Sequence, residues 1–407
     1  MARPASHLFA FYLSILHTIT MIILSIETSC DETAISVLEA KGQFPLATYT
    51  VLGDALYSQI DIHREYGGVF PAVAKREHIV TILPMLEKAL GEAELPKLPH
   101  HALFPEKEEE LHALLAREPG LADSLIDFFK RYNTPAIDLI AVTKGPGLEP
   151  TLWVGINFAK ALSSLWNVPV VGVNHMEGHI FGSLFNGTEI APLAFPAIAL
   201  LISGGHTEIV LMKEWGSYEL VGRTRDDAVG EAFDKVARTL GLPYPGGPEI
   251  SKRAEIRREK NIPNTLSFPR PMLNTNDCDF SFSGLKTSVW YHVKDRTLSE
   301  DDREEISEAF EDAVTEVLLK KTKLALENHA AQSVILGGGV SASTHIRRAF
   351  KAAFEKDYSE VALYLPEKKL TGDNSVMIAL AAHSRYSTGT VVSETNMVAD
   401  GNLSVSA

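Results

Sequence analysis

Apolar residues fall along this chain in short runs that alternate with longer stretches of helical spacing. Ile22–Ile26 and Ala34–Leu38 read as strands, separated by the polar turn Glu27, Thr28, Ser29, Cys30, Asp31, Glu32 and Thr33. The same shape returns at Ala197–Ile202, where Ser203, Gly204, Gly205, His206 and Thr207 lead into Glu208–Met212. The recurrence predicts two similar lobes. Ser333–Leu336 feeds Gly337, Gly338, Gly339, Val340 and Ser341 into a helical pattern through Ile346, Ala349, Phe350 and Phe354, a glycine turn that delivers a helix N-terminus. Further strands fit Leu139–Thr143 and Val168–Val173. Helical spacing covers His78–Leu90, Gly155–Leu165 and Glu304–Leu326. Alternation of this kind predicts an α/β fold.

Two regions break the rhythm. Between residues 92 and 134 the prolines Pro96, Pro99, Pro105 and Pro119 accompany a run of glutamates, which reads as an acidic helical insertion on the surface. After Tyr386 the chain is rich in Ser, Thr and Asn. Val391–Ser393 and Leu403–Val405 are its possible edge strands, and no chemistry is assigned to it. At the other end, Leu8–Ile26 is almost uncharged. His17, Thr18 and Thr20 interrupt it and no small-residue cleavage site follows, so an extension upstream of Met21 is favoured over a signal or anchor.

Length and charge narrow the class. The 407 residues correspond to two or three domains at about 150 residues each. A formal charge of −14 gives no overall pull toward phosphate or anionic lipid, so nucleic-acid contact needs a local basic patch. The main clusters are Lys252, Arg253, Arg257, Arg258 and Lys260, then Lys320, Lys321 and Lys323, then Arg347, Arg348 and Lys351. With 2 cysteines there is no disulfide framework and no zinc knuckle, which fits a reducing, cytoplasmic setting.

The candidate chemistry lies in the turns. Thr28, Ser29, Ser203, Gly204 and Gly205 combine hydroxyls with backbone N–H groups free to converge on an oxyanion, and Lys144-Gly-Pro-Gly147 ends another strand before a helix. No Walker A pattern is present. His175 and His179 stand at i and i+4, so on a helix both imidazoles leave one face. Met176 occupies the place where a zincin protease carries its general base, which disfavours that class. Asp373 is the leading third ligand, against the alternative that it caps the helix starting near Val376. Asp234 and Lys235 fit ribose and phosphate, or Glu231 and Lys235 fit a surface pair. Tyr244-Pro-Gly-Gly-Pro248 is a rigid loop open to a flat ligand.

Together, Ile26-Glu-Thr-Ser-Cys-Asp-Glu-Thr33, Gly145-Pro-Gly-Leu148, Asn174-His-Met-Glu-Gly-His179, Ser203-Gly-Gly-His-Thr207, Asp226 to Lys235, Tyr244 to Pro248, Phe280-Ser-Phe-Ser-Gly-Leu-Lys286 and Thr371-Gly-Asp-Asn374 resemble the TsaD family of tRNA adenosine threonylcarbamoyltransferases. The resemblance runs from residue 22 to 386 around the insertion at 95–134. It implies the two-lobed actin-like (ASKHA) ATPase fold with a ligand cleft between duplicated lobes. The expected layout is an extension at 1–20, lobe 1 at 21–190, lobe 2 at 191–364, a return to lobe 1 at 365–387 and a tail at 388–407. The implied reaction moves a threonylcarbamoyl group from threonylcarbamoyl-AMP to the exocyclic amine of the adenosine 3′ to the anticodon, in tRNAs reading codons that begin with A, and releases AMP.

By the same resemblance His175, His179 and Asp373 hold one divalent metal ion, iron in preference to zinc. The donor is contacted by Leu201, Ile202, Ser203, Gly204, Gly205, Asp234, Gly247, Ser251 and Ser343, and Lys252 onward borders the tRNA. Ser343 stands where the family usually has Asn, and Lys144 replaces a commoner small residue. Implied partners are tRNA, an inactive paralogous subunit and a small ATPase of a bacterial complex, with no membrane. Two other classes fit the phosphate loops: a small-molecule kinase or carbamoyltransferase of the same fold, which has no need of the histidine pair, and a scaffold subunit that binds nucleotide without transfer.

Overall fold

The computed structural model describes residues 20–98, 103–389 and 393–406. Two five-stranded sheets organise the chain. The first contains β1 (Thr20–Glu27), β2 (Glu32–Lys41), β3 (Thr48–Ser58), β4 (Leu139–Gly145) and β5 (Val170–Asn174), in the order β3-β2-β1-β4-β5. The second contains β6 (Ala197–Ile202), β7 (Thr207–Glu214), β8 (Ser217–Arg223), β9 (Ser333–Gly337) and β10 (Ala362–Tyr364), in the order β10-β9-β6-β7-β8.

In both sheets the first strand opens an antiparallel meander on one side and pairs parallel with a later strand on the other. The repeat expected from the two strand-turn-strand segments is thus a repeat of whole-sheet topology. β3, β8 and β10 escape the hydrophobic pattern. β3 carries exposed Val51 and Leu56 and is broken by a bulge opposite Val37 and Leu38, so its alternation is blurred.

Between the sheets lies a middle layer of two helices, His175–Leu184 and Ser375–Ser387, buried along their whole lengths except the last residues of the second. Their apolar faces join β1, β4 and β5 to β6, β7 and β9 in one continuous core. They approach closely because Gly178 has no side chain: a Cβ there would meet Ile378 Cδ1 at 2.9 Å and Met377 Cγ at 3.1 Å. Outer helices complete each lobe. Pro71–Ala93 and Glu149–Trp166 cover the first sheet, and Val229–Thr239 and Glu300–His329 cover the second.

The insertion forms helices Pro105–Leu114 and Leu121–Arg131. It is less superficial than its composition indicates, because Leu111, Leu125, Ile126, Phe128 and Phe129 are buried in the first lobe's core. Buried Glu118 also accepts two hydrogen bonds from Asn157 Nδ2, at 3.2 and 3.1 Å. Leu403–Val405 is not a strand, and the reading of Val391–Ser393 falls largely outside the described residues, as does that of residues 1–19. Among the described residues no helix is long and apolar enough to cross a membrane. Guanidinium contacts bridge the lobes beside the cleft: Arg64 Nε donates to Tyr244 O at 3.1 Å, and Arg238 donates to Gly67 O.

Candidate functional site

The ends of β1, β4, β6 and β9 face one another across a cleft of 1040 Å³. Its first-lobe wall includes Ser29, Asp31, Gly147, His175 and Asp373, and its second-lobe wall includes Ser203, Gly204, Gly205, Asp234, Gly247, Ser251 and Ser343. Leu201 and Ile202 lie behind that wall, fully buried on β6.

The two middle helices begin at the cleft. Asn174 caps the first by accepting from Met176 N at 2.9 Å and Glu177 N at 3.3 Å, which fixes His175 at its first position. Asn374, not Asp373, caps the second, accepting from Met377 N at 3.0 Å. Asp373 is therefore left to face the histidines: its Oδ1 is 3.3 Å from His175 Nε2 and 3.3 Å from His179 Nε2. Glu177 turns away to accept from Tyr218 OH at 3.0 Å, which agrees with the reading that disfavours a zincin protease.

Three donors converging within 4.8 Å form a group that could hold a metal ion. Separations of 3.3 Å match two donors on one divalent ion bound at about 2.0–2.2 Å. The chemistry of His179 agrees. It is 1% exposed, yet neither ring nitrogen makes a hydrogen bond, because the approach to Asp373 lacks hydrogen-bond alignment. A buried imidazole left this way suits coordination.

Behind His175 stands Glu27, a fully buried carboxylate at the end of β1 that sequence reasoning missed. It accepts from Ser29 N at 2.5 Å and Thr143 Oγ1 at 2.5 Å, and meets His175 Nδ1 at 3.0 Å. This is the arrangement that fixes a ligating histidine's tautomer. Burial pushes His175 down, but Asp373 and Glu27 outweigh it and hold the imidazole well above its ordinary value. Burial pushes Glu27 up, and His175 reverses that shift. Nearby, burial raises the Cys30 thiol well above its usual range, so no thiolate nucleophile faces the cleft from that position.

On the opposite wall the phosphate-type loop is held by Gly230 N donating to Ser203 O at 3.1 Å and His206 N donating to Ser203 Oγ at 3.1 Å. Asp234 accepts from Gly246 N at 2.7 Å, which ties the Tyr244–Pro248 loop to helix Val229–Thr239. Lys235 pairs with Asp227 and Glu231, each at 2.8 Å, so the surface-pair reading holds for the lysine. Ser251 Oγ and Ser343 Oγ both donate to Glu311 Oε1, at 2.6 and 2.9 Å. Glu311 is fully buried and was likewise not foreseen. A second histidine–carboxylate group, Glu255, Glu311 and His345, is crossed by Arg258 and Arg348, which makes it an ion-pair network.

The basic clusters are largely neutralised. Arg253 pairs with Glu249, Arg257 with Asp301, Arg258 with Glu311 and Asp312, Lys260 with Glu304, and Lys323 with Asp357. Lys321 is fully buried beneath Thr275 and Asp277. Lys252 is exposed beside the cleft residue Ser251.

Comparison with known proteins bears on both fold and activity. Among solved structures, full-length HypF in its phosphate- and nucleotide-bound form aligns with a TM-score of 0.50 at 12% identity, covering 90% of this chain and 46% of that one. HypF of T. kodakarensis aligns at 0.52 and 13% identity, covering 94% and 49%. Those likenesses concern the fold alone, the two-lobed actin-like one. In sequence, the tRNA N6-adenosine threonylcarbamoyltransferase of Thermosipho africanus is 38% identical over 385 residues, spanning 95% of this chain and 100% of its own length. Its namesakes from Desulfotalea psychrophila and Bacillus subtilis are 41% and 39% identical, over 90% and 91% of this chain and 93% and 92% of their own lengths. The profile of the family described as TsaD, tRNA N6-adenosine threonylcarbamoyltransferase, matches residues 50–99 and 121–380. On the matched span and the identities alike, the chain belongs to the TsaD family of tRNA N6-adenosine threonylcarbamoyltransferases.

Proposed function

We propose that the interlobe cleft binds threonylcarbamoyl-AMP and aligns its carbamoyl carbon with the exocyclic amine of the tRNA adenosine 3′ to the anticodon, in tRNAs reading codons that begin with A. Family membership makes the chain a transferase acting on tRNA adenosine. The donor, the roles of single residues and the identity of the metal are the proposed part. The observation that carries the reading is the convergence of His175, His179 and Asp373 at the mouth of a cleft whose other wall is a hydroxyl-and-glycine loop.

In this reading His175, His179 and Asp373 hold one divalent ion, iron in preference to zinc, which supplies Lewis-acid stabilisation of developing negative charge on the donor's oxygens. Glu27 keeps His175 in the ligating tautomer. Ser203, Gly204 and Gly205 line the phosphate, and Asp234, Gly247, Ser251 and Ser343 line the nucleoside side. Because Ser251 and Ser343 direct their hydroxyl hydrogens to Glu311, they face the ligand as acceptors and suit ribose hydroxyls or an adenine amine. The donor is an activated mixed anhydride, so alignment and charge stabilisation suffice and no covalent enzyme intermediate is needed. The enzyme works in the cytoplasm with an inactive paralogue and a small ATPase.

The test is transfer of labelled threonine carbon from preformed threonylcarbamoyl-AMP to unmodified tRNA, with partner proteins supplied and metal present or chelated. Metal-dependent label in tRNA is the expected result. ATP-dependent phosphorylation of a small molecule with no label in tRNA refutes it.

A further inference from the structure

The tail beyond Ser393, to which the sequence assigns no chemistry and which lies past the residues matched by the family profile, is bound to the first lobe along its length. Glu394 N donates to Val170 O at 2.8 Å, and Asp400 N donates to Lys144 O at 2.9 Å. Lys160 Nζ donates to Met397 O at 2.6 Å. Met397 and Val405 are 4% and 5% exposed, each joining a core cluster of the protein. The unusual Lys144 has its partner here, with Nζ 3.1 Å from Glu394 Oε2.

Two of these contacts reach the site. Asn174, the cap of the helix that starts at His175, donates through Nδ2 to Ser404 O at 3.0 Å. Gly147 N donates to Gly401 O at 3.2 Å, and the next residue, Leu148, donates through N to Ser29 O at 2.7 Å. Ser29 Oγ in turn lies 3.2 Å from His175 Nδ1. The fit is close: Gly147 has φ +158, and a Cβ on it would meet Ser29 O at 2.6 Å. Gly401 and Asn402 consequently form part of the cleft wall, on the side of His175 and across from Asp234, Ser251 and Ser343. Asn402 N is held by Asp400 Oδ1 at 2.9 Å, while its exposed side-chain amide has no hydrogen-bond partner among the described residues.

We propose that the segment Glu394–Ser406 is a built-in wall of the active site and that the Asn402 side-chain amide contacts the threonyl part of the bound donor. This rests on the reading of the cleft as the donor site. With the nucleoside side lined by the second lobe, the strap borders the acyl side. Threonylcarbamoyl carries a carboxylate, a hydroxyl and an amide, and Asn offers two donors and an acceptor in one planar group. A neutral side chain also suits the position. Glu27, Asp31, Glu32 and Asp373 already crowd this end, and another carboxylate would repel that of the substrate.

The experiment compares the full chain with Asn402→Ala and Asn402→Asp in the transfer assay with partners supplied, varying preformed threonylcarbamoyl-AMP at saturating tRNA, beside calorimetric titration with AMP alone. Asn402→Ala should raise the donor KM about threefold to tenfold with kcat and melting temperature unchanged, the loss of one hydrogen bond. Asn402→Asp should raise it further. AMP affinity should not move, because AMP lacks the acyl group, whereas general disruption of the cleft would weaken both ligands. Wild-type donor KM in both variants, with the unaltered chain active, overturns the inference alone. Absence of transfer by the unaltered chain overturns the functional reading and this inference with it.

Discussion

Replacing Glu27 by Gln should weaken metal binding without unfolding the protein, and the structure gives both size and cause. Glu27 Oε1 accepts from Ser29 N, and Oε2 serves both Thr143 Oγ1 and His175 Nδ1. A Gln that keeps its oxygen on Ser29 N puts an NH2 group where Oε2 stood. Thr143 can turn its hydroxyl to accept, but a protonated His175 Nδ1 then faces a donor. The imidazole escapes by moving its proton to Nε2, the nitrogen that faces Asp373, and a protonated Nε2 is no ligand. Loss of such an orienting partner costs about 10–100-fold in metal affinity, roughly 1.4–2.7 kcal/mol. Ser29 Oγ, 3.2 Å from Nδ1, is a weaker substitute acceptor and moves the expectation toward the lower end. Competition with a chromophoric chelator at fixed pH measures the constant directly. An affinity within twofold of wild type, in a preparation where Asp373→Ala has lost the metal, would refute the argument.

Asp373→Ala itself should abolish metal binding and transfer while leaving the circular dichroism spectrum intact, because Asn374 and not Asp373 caps the following helix. Gly178→Val should destabilise by about 1–3 kcal/mol in urea unfolding, since the added atoms meet Ile378 and Met377; an unchanged midpoint would mean the two middle helices can part freely. Ser343→Asn should tighten nucleotide binding while preserving the cap on Ile346 N, because Asn caps as well as Ser and the position lines the cleft; unchanged affinity by titration would remove position 343 from the ligand. Burial holds His78 and His383 at about 4, against an ordinary 6.5. The unfolded chain therefore takes up protons that the folded one refuses. Stability is fully present above pH 6.5 and is lost as pH falls toward 4, by up to about 3 kcal/mol for each histidine. Urea midpoints that stay flat between pH 7 and pH 5 would contradict those shifts.

What could be read from sequence was local. The Ile22–Leu38 hairpin, its echo at Ala197–Met212 and the His175–His179 spacing each lie within one element and its turn, where periodicity and backbone chemistry act directly. Asp373 could be named but not settled, because the neighbouring Asn374 could equally leave it to cap; only the fold assigns the cap to one residue and the cleft to the other. Glu27 lay within a quoted motif and still went unread, since its partners Thr143 and His175 arrive from a distant strand and a distant helix. Glu311 carries no local mark at all inside an acidic helix, and becomes distinctive only when Ser251, Arg258 and Ser343 converge on it. The basic clusters misled in the opposite direction, because composition cannot show that acidic neighbours have already engaged most of these charges. The strap failed for want of hydrophobic rhythm: only Met397 and Val405 are buried in a core, and most of its hydrogen bonds use backbone groups, whose reach does not depend on residue type.

The paired guanidinium bridges between the lobes bear on turnover. Arg64 reaches from the first lobe to Tyr244 O and Arg238 from the second to Gly67 O, and both carbonyls sit in loops beside the cleft. The two bonds point in opposite directions across the same gap, so parting the lobes breaks both. If the cleft holds the nucleotide as proposed, parting the lobes to release it breaks both bonds, and its residence time then depends on Arg64, outside the cleft lining, as well as on Arg238 within it.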